Sequence, residues 1–352
     1  MHISILVNGS NDLYYSLKKS ISDLISNLKD IKGVSISIVY TFLIDEKNIW
    51  TFIESDSLSD EVGYLEYEEG ILRRMKYQFK NENTSLDIKS AIAKTYKPNK
   101  KNILIISGHG GPFQCMLDMS NNIDKSFSTY ELCSIINQYE YEVVFLDMCA
   151  MNFIEVLYEI LYTKKVSGII TYKGLAVFEG LNYLEIIKVL RNSVINKEII
   201  DRFEYAFIYI SSESINNFNE LKKVKDSLVK KCVLAKNPNF NTELFRIREL
   251  IDKSVYESRM AKEIRIEKLN YIKYYLESEV DRAIYSKYLY LENNLWRQFL
   301  FMDGLNEEYK NYIELSRESL KNIISLHNTN KNNVELDYLI ELYYKNKKRK
   351  QG

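Results

Sequence analysis

The first 190 residues alternate short apolar runs with stretches of helical periodicity, and this alternation limits the available folds more than any other feature of the chain. Strands separated by amphipathic helices predict a mostly parallel sheet with helices on its faces. HISILVN (2–8) reads as the first strand. In LYYSLKKSISDLISNLKD (13–30), Leu13, Leu17, Ile21, Leu24 and Leu28 recur at helical spacing, and Asn11 or Asp12 offers a cap. GVSISIVYTFLI (33–44) alternates as a second strand, and WTFIES with GYLEYEEG reads as a hairpin at the sheet's periphery. A helix near 84–96 leads past Pro98 to a third strand, NILIIS (102–107). GHGG, a turn-rich stretch and a helix over 128–138 then lead to the strand EVVFLD. The helix MNFIEVLYEILYTK, the strand VSGIITYK and the helix FEGLNYLEIIKVLRN complete the series.

Near residue 195 the character changes. Apart from a strand-like YAFIYISSE, charged helical patterns dominate, so residues 1–195 are expected to form an α/β domain and 196–352 a mainly helical region. Leu269, Ile272, Leu276, Val280 and Ile284 form one apolar stripe there. Lys+Arg and Asp+Glu both number 48, so no charge excess points to nucleic acid or an anionic membrane; the basic tail KNKKRKQG reads as a solvated end. The tyrosine-rich YIKYYLE and YSKYLYLE read as half-buried packing, not as base-stacking platforms. The N-terminus has no basic stretch ahead of its short apolar run, unlike a signal peptide, and no run is long enough to cross a bilayer; a cytoplasmic protein is expected. Cys115, Cys133, Cys149 and Cys232 lack metal-type spacing and read as free thiols, and no metal or other cofactor is expected.

Two strand ends carry the chemistry. IISGHGG ends in His109 and FLDMC in Cys149. A right-handed crossover between these strands would make them parallel and bring both residues out at the carboxyl edge of one sheet. A cysteine nucleophile attacks as the thiolate, which a helix N-terminus and a nearby imidazolium both favour; Cys149 stands just ahead of AMNFIEVLYEI. Glycines beside the histidine allow close approach to a substrate carbonyl, so the Gly110 and Cys149 amides are candidate oxyanion donors.

Each residue alone has a plainer reading: Cys149 as a small buried hydrophobe, His109 as a turn residue. Their pairing on successive strand ends favours catalysis. Of the 3 histidines, His2 lies at the terminus and His327 in a loop between helices. Cys133, within the helical STYELCSIINQ, and Cys232, in a charged helix, read as structural, whereas Cys115 stands close enough to His109 to line a cleft. A phosphate-binding role for GHGG is disfavoured, because its spacing matches neither dinucleotide nor P-loop patterns.

These motifs, in this order, resemble the clostripain-like cysteine peptidases, a branch of the caspase-like group. The resemblance covers about residues 1–190 and rests on ILVNGSNDLYYSL, on NTSLDIKSAIAKTYKPNKKNILIISGHGG, on DMCAMNFIEVLYEI with Asp147, Cys149, Met151 and Glu155, and on VSGIITYKGLAVFEGLNY with Glu179, Gly180 and Tyr183. It implies a caspase-like sheet and peptide-bond hydrolysis through an acyl-enzyme, with Cys149 attacking and His109 handling the leaving amine's proton. It also implies an acid at Asp147 that favours Arg or Lys before the cut; the plainer, less favoured reading of Asp147 is a strand-end cap. The strand from Gly168 to Thr171 is expected to pair with an extended substrate as a sheet edge does. Autocleavage as in some relatives would fall at Lys125, the single lysine between His109 and Cys149, and the acidic loop of an EF-hand calcium site is absent. The competing expectation is a non-catalytic module using the same sheet as a binding surface.

Overall fold

Seven consecutive buried residues, His2–Asn8, form the strand β1 near the middle of the sheet, with the β-branched Ile3, Ile5 and Val7 on one face. The structure, a computed structural model, describes residues 1–42, 62–75, 87–111, 114–118, 125–149, 151–177, 180–221, 223, 246, 249–264 and 268. The helix α1 (Tyr14–Asn27) follows, then β2 (Ser35–Thr41), β3 (Val62–Glu68), β4 (Ile71–Met75), α2 (Ile88–Thr95) and β5 (Asn102–Gly108). Next come β6 (Gln114–Asp118), β7 (Lys125–Ser128), α3 (Thr129–Ile136), β8 (Val143–Met148), α4 (Ile154–Leu161), β9 (Gly168–Tyr172) and α5 (Tyr183–Arg191). The strands β10 (Phe207–Ser211) and β11 (Val255–Glu257) and the short helix α6 (Arg259–Glu263) follow.

Among the described residues the main sheet has 9 strands in the order β11-β10-β9-β8-β5-β1-β2-β3-β4. The strands β2, β1, β5, β8 and β9 run parallel, as the alternating sequence predicts, and antiparallel strands extend both ends. Alternate residues of the parallel strands, such as Ile3, Ile5, Ile103, Ile105, Val143 and Phe145, join a core with Leu17, Ile21 and Leu24 of α1 and Ile186, Ile187 and Leu190 of α5. On the other face Ser4 Oγ donates to the carbonyl of Thr95 in α2. Asp87 caps α2 by accepting from Ser90 N, and Asn182 caps α5 by accepting from Glu185 N.

Several expectations need correction. GYLEYEEG pairs with the following strand β4 and with β2 inside the main sheet, while WTFIES lies outside the described residues. The stretch after GHGG, expected to be irregular, forms the β6–β7 hairpin, with Lys125 opposite Asp118. The sheet does not stop near residue 195. The unit that contains it runs over 1–152, 160–212 and 255–268, and β10 and β11 belong to it. A second unit comprises 153–159, 213–254 and 269–352; within it Ser214 Oγ donates to the carbonyl of Ser254, and Phe218 and Leu221 are buried. The 269–284 stripe, the tyrosine-rich segments, Cys232, His327, Glu179 and the basic tail lie outside the described residues. No helix among those residues is long and apolar enough to cross a membrane.

His2 opens β1 as a buried imidazole whose Nδ1 lies 2.9 Å from Ser35 Oγ. Burial, then the nearby Lys97 ammonium, lowers its pKa from 6.5 to about 4. The unfolded chain therefore binds this proton at a higher pH than the folded chain, and the stabilisation from neutral His2 is lost as pH falls from 6.5 to about 4. His2→Gln should flatten that part of the stability–pH curve in urea denaturation; an unchanged slope would contradict the assignment.

Candidate active site

The parallel register of β5 with β8 sets Ser107 against Asp147 and Gly108 against Met148. The next residue on each strand is His109 and Cys149, so the two expected residues leave neighbouring strands at the same level of the carboxyl edge. Neighbouring strands lie about 4.8 Å apart. Gly110 makes this approach possible: a Cβ there would stand 2.3 Å from the Cys149 carbonyl oxygen and 2.6 Å from Met148 Cβ. Any side chain at 110 would force the two strand ends apart. The topological switch point lies one strand over, between β1 and β5, since the chain passes from β1 to β2 on one side of β1 and returns to β5 on the other, so His109 stands at its margin.

Cys149 is partly exposed, and its Sγ accepts the backbone N–H of Ala176 at 3.3 Å. Ala176 belongs to the segment 174–177 after β9. In that segment Leu175 is 78% exposed, so an apolar side chain stands in solvent beside the thiol. The segment is anchored at its base by Lys173, a buried lysine that forms an ion pair with Glu257 and donates to the carbonyls of Ala261 and Ile264, each at 3.0 Å. The helix α4 begins at Ile154, five positions beyond Cys149, so the thiol does not open the helix as expected.

His109 is held from two directions. Its carbonyl accepts from Met116 N at 2.7 Å, and its Nε2 lies 2.5 Å from Asp12 Oδ1. Asp12 was a candidate cap for α1, but no side chain caps that helix; Asn11 Oδ1 instead accepts from Leu13 N just ahead of it. The acid is turned to the histidine.

Asp147 lies beneath this edge, only 4% exposed. Its carboxylate accepts from Ser107 Oγ at 2.7 Å, Tyr183 OH at 2.6 Å and Tyr172 OH at 3.1 Å. Burial raises its pKa, and the three hydroxyl donors only partly oppose this. Burial, reinforced by the Asp147 charge, likewise raises both tyrosines. The acid expected to meet a basic side chain is thus a buried, hydroxyl-satisfied carboxyl group.

Thr171 departs further from expectation. It is fully buried, its Oγ1 donates to the carbonyl of Leu146, and its backbone pairs with Leu146 on one side and Ile208 on the other. The strand β9 is interior because β10 covers it, so it offers no edge to a substrate. Cys115 does not line a cleft either: it is buried, and burial pushes its thiol up to about 12. Cys133 is buried as expected. Among the described residues no group of His, Cys, Asp and Glu is placed to hold a metal ion.

No family model and no curated protein matches the chain. Solved structures share its fold. A secreted C11 cysteine protease from Bacteroides thetaiotaomicron, "iotapain", is 17% identical over 72% of this chain and 84% of its own, with a TM-score of 0.52. A secreted C11 cysteine protease from the same organism, in complex with an irreversible peptide inhibitor, is 10% identical over 86% and 99%, with a TM-score of 0.59. An inactive zymogen C11 protease from Parabacteroides distasonis is 13% identical over 73% and 83%, with a TM-score of 0.51. The mostly parallel sheet flanked by helices is the caspase-like fold of these C11, or clostripain-family, proteases.

The environment of Asp147 sets a testable pH dependence. A carboxyl group whose pKa is raised by folding stabilises the fold while protonated, and that contribution is lost as pH rises through the raised value. Asp147→Asn is neutral throughout. Its melting temperature relative to the wild type should therefore climb as pH rises through and above the carboxylate range; a constant difference would argue against a buried, proton-binding Asp147.

Proposed function

We propose that this chain is a cysteine endopeptidase in which Cys149 is the nucleophile and His109 its proton-transfer partner. The observation that carries the proposal is their emergence, level with each other, from the carboxyl ends of adjacent parallel strands, with Gly110 permitting the approach. The fold shared with C11 cysteine proteases supports it, and the peptide inhibitor bound to one of them is the precedent for a peptide substrate.

The thiolate of Cys149 attacks the scissile carbonyl, forming an S–C bond. As the C–N bond breaks, the imidazolium of His109 protonates the departing amine. Water then attacks the thioester, giving a proton to His109 and releasing the acid and the thiolate. The Gly110 and Cys149 amides are the proposed oxyanion donors. The ring of His109, 29% exposed, is accessible to an incoming peptide.

A preference for Arg or Lys before the cut is the finer part of the proposal. It rests on Asp147, the acid two residues before the nucleophile in the clostripain-like pattern. A basic side chain reaches that carboxylate by taking the place of a hydroxyl donor, Tyr172 or Tyr183. We further place the enzyme in the cytoplasm, acting on a narrow set of substrates such as a precursor peptide or a partner protein. Broad cleavage at basic residues there would damage the host's own proteins.

Cys149→Ala and His109→Ala should each lower peptide cleavage by at least about 10³-fold, measured on a library with each residue type before the bond. Undiminished turnover in either variant would end the proposal. Asp147→Asn should raise KM for Arg and Lys peptides selectively, and an equal loss on all peptides would assign Asp147 to the scaffold instead.

A further inference from the structure

Asp12 stands where the mechanism above needs a group that it does not name. A carboxylate offers only acceptors, so the His109 nitrogen facing it, Nε2 at 2.5 Å, carries the hydrogen. In the neutral ring the bare nitrogen is then Nδ1. We infer that Asp12 is a positioning residue that holds His109 in the Nε2–H tautomer and leaves Nδ1 as the nitrogen that gives up and regains the proton. The inference rests on the peptidase reading. The proton balance follows from it: Nδ1–H protonates the leaving amine, the emptied Nδ1 accepts the hydrolytic water's proton, and Nε2–H stays on Asp12 throughout.

The contact is built into the fold, although Asp12 itself is 69% exposed. The loop that carries it is fixed by side chains on either side. Asn8 Oδ1 accepts from Ser10 N and from Thr41 Oγ1, Asn11 Nδ2 donates to the Asn8 carbonyl, and Gly9 N donates to the Thr41 carbonyl. The loop and the histidine are then fastened to one residue. Asn8 Nδ2 donates to the Met116 carbonyl at 2.8 Å, and Met116 N donates to the His109 carbonyl at 2.7 Å. Gly108, at φ +152°, lets the backbone pass close to Asn8, since a Cβ there would lie 3.1 Å from the Asn8 carbonyl oxygen. These backbone and amide hydrogen bonds set the separation of the two chain segments that carry Asp12 and the imidazole.

Two readouts test this. The first is histidine tautomer assignment by ¹⁵N NMR in the Cys149→Ala protein under mildly alkaline conditions. With only 3 histidines, the His109 signals are identified by their loss in His109→Gln. The Nε2–H form is expected, and its dominance should fall in Asp12→Ala; a ring found as Nδ1–H overturns the inference. The second is steady-state cleavage. For an exposed charged pair, Asp12→Ala should lower kcat by about twofold to fivefold with KM unchanged. Asp12→Asn, which keeps a carbonyl acceptor, should recover much of the loss, as a purely structural defect would not. Unchanged kcat in Asp12→Ala overturns the positioning role and leaves the peptidase reading standing. A wild-type protein without Cys149-dependent cleavage overturns the peptidase reading and this role with it, even where NMR finds the Nε2–H ring.

Discussion

The pairing of β5 with β8 is the constraint on which the rest of the candidate site depends. Parallel strands joined by a crossover helix can register in several ways, and a slip of one residue would turn the last side chain to the opposite face. The register observed sets Gly108 against Met148, and everything beyond it follows from small residues tolerating a close approach. Gly110 against the Cys149 carbonyl is the tightest of these contacts. The buried ladder of Ile103–Ile106 against Val143–Leu146 supplies the stiffness. The proposed His109–Cys149 pair thus stands at the end of a close-packed, fully buried ladder, where side chains have little freedom.

Beneath this edge the polar interior is organised around a single carboxyl group. Ser107, Tyr172 and Tyr183 reach Asp147 from three segments of chain and satisfy it without a counter-charge. A buried acid solvated by hydroxyls keeps its place whether or not it carries a proton, because tyrosine and serine both donate and accept. The cluster also joins β5, β8, β9 and α5 directly under Cys149.

Much of the fold could be read from local pattern. HISILVN, NILIIS, EVVFLD and the core of VSGIITYK are strands, and the stripe from Leu17 to Leu28 is buried as its spacing predicts. That His109 and Cys149 leave neighbouring parallel strands was legible because both residues follow short apolar runs joined by one crossover. What local pattern could not convey is which strands become neighbours. Thr171 reads as an edge residue until β10, some 35 positions on, covers it; GYLEYEEG finds its hairpin partner on the side opposite to the one expected. The burial of Asp147 among hydroxyls was not legible, because Tyr172 and Tyr183 give no local sign that they converge on it. Asp12 is a case of competing local rules: an acid at the head of a helix ordinarily caps it, but here Asn11 bonds the Leu13 amide and Asp12 turns to the histidine. The β6–β7 hairpin was missed because glycine and asparagine clusters around it resemble loop.

The anchoring of Lys173 has a consequence for chain synthesis. The side chain is stripped of water and compensated by Glu257, Ala261 and Ile264, all more than 80 positions later in the sequence. A nascent chain that has emerged only as far as β10 already contains Cys149 and His109, but the ammonium at the base of the 174–177 segment has no partners. The wall beside the thiol is completed only when the residues of β11 and α6 arrive, so the order of synthesis delays assembly of the site until most of the chain exists.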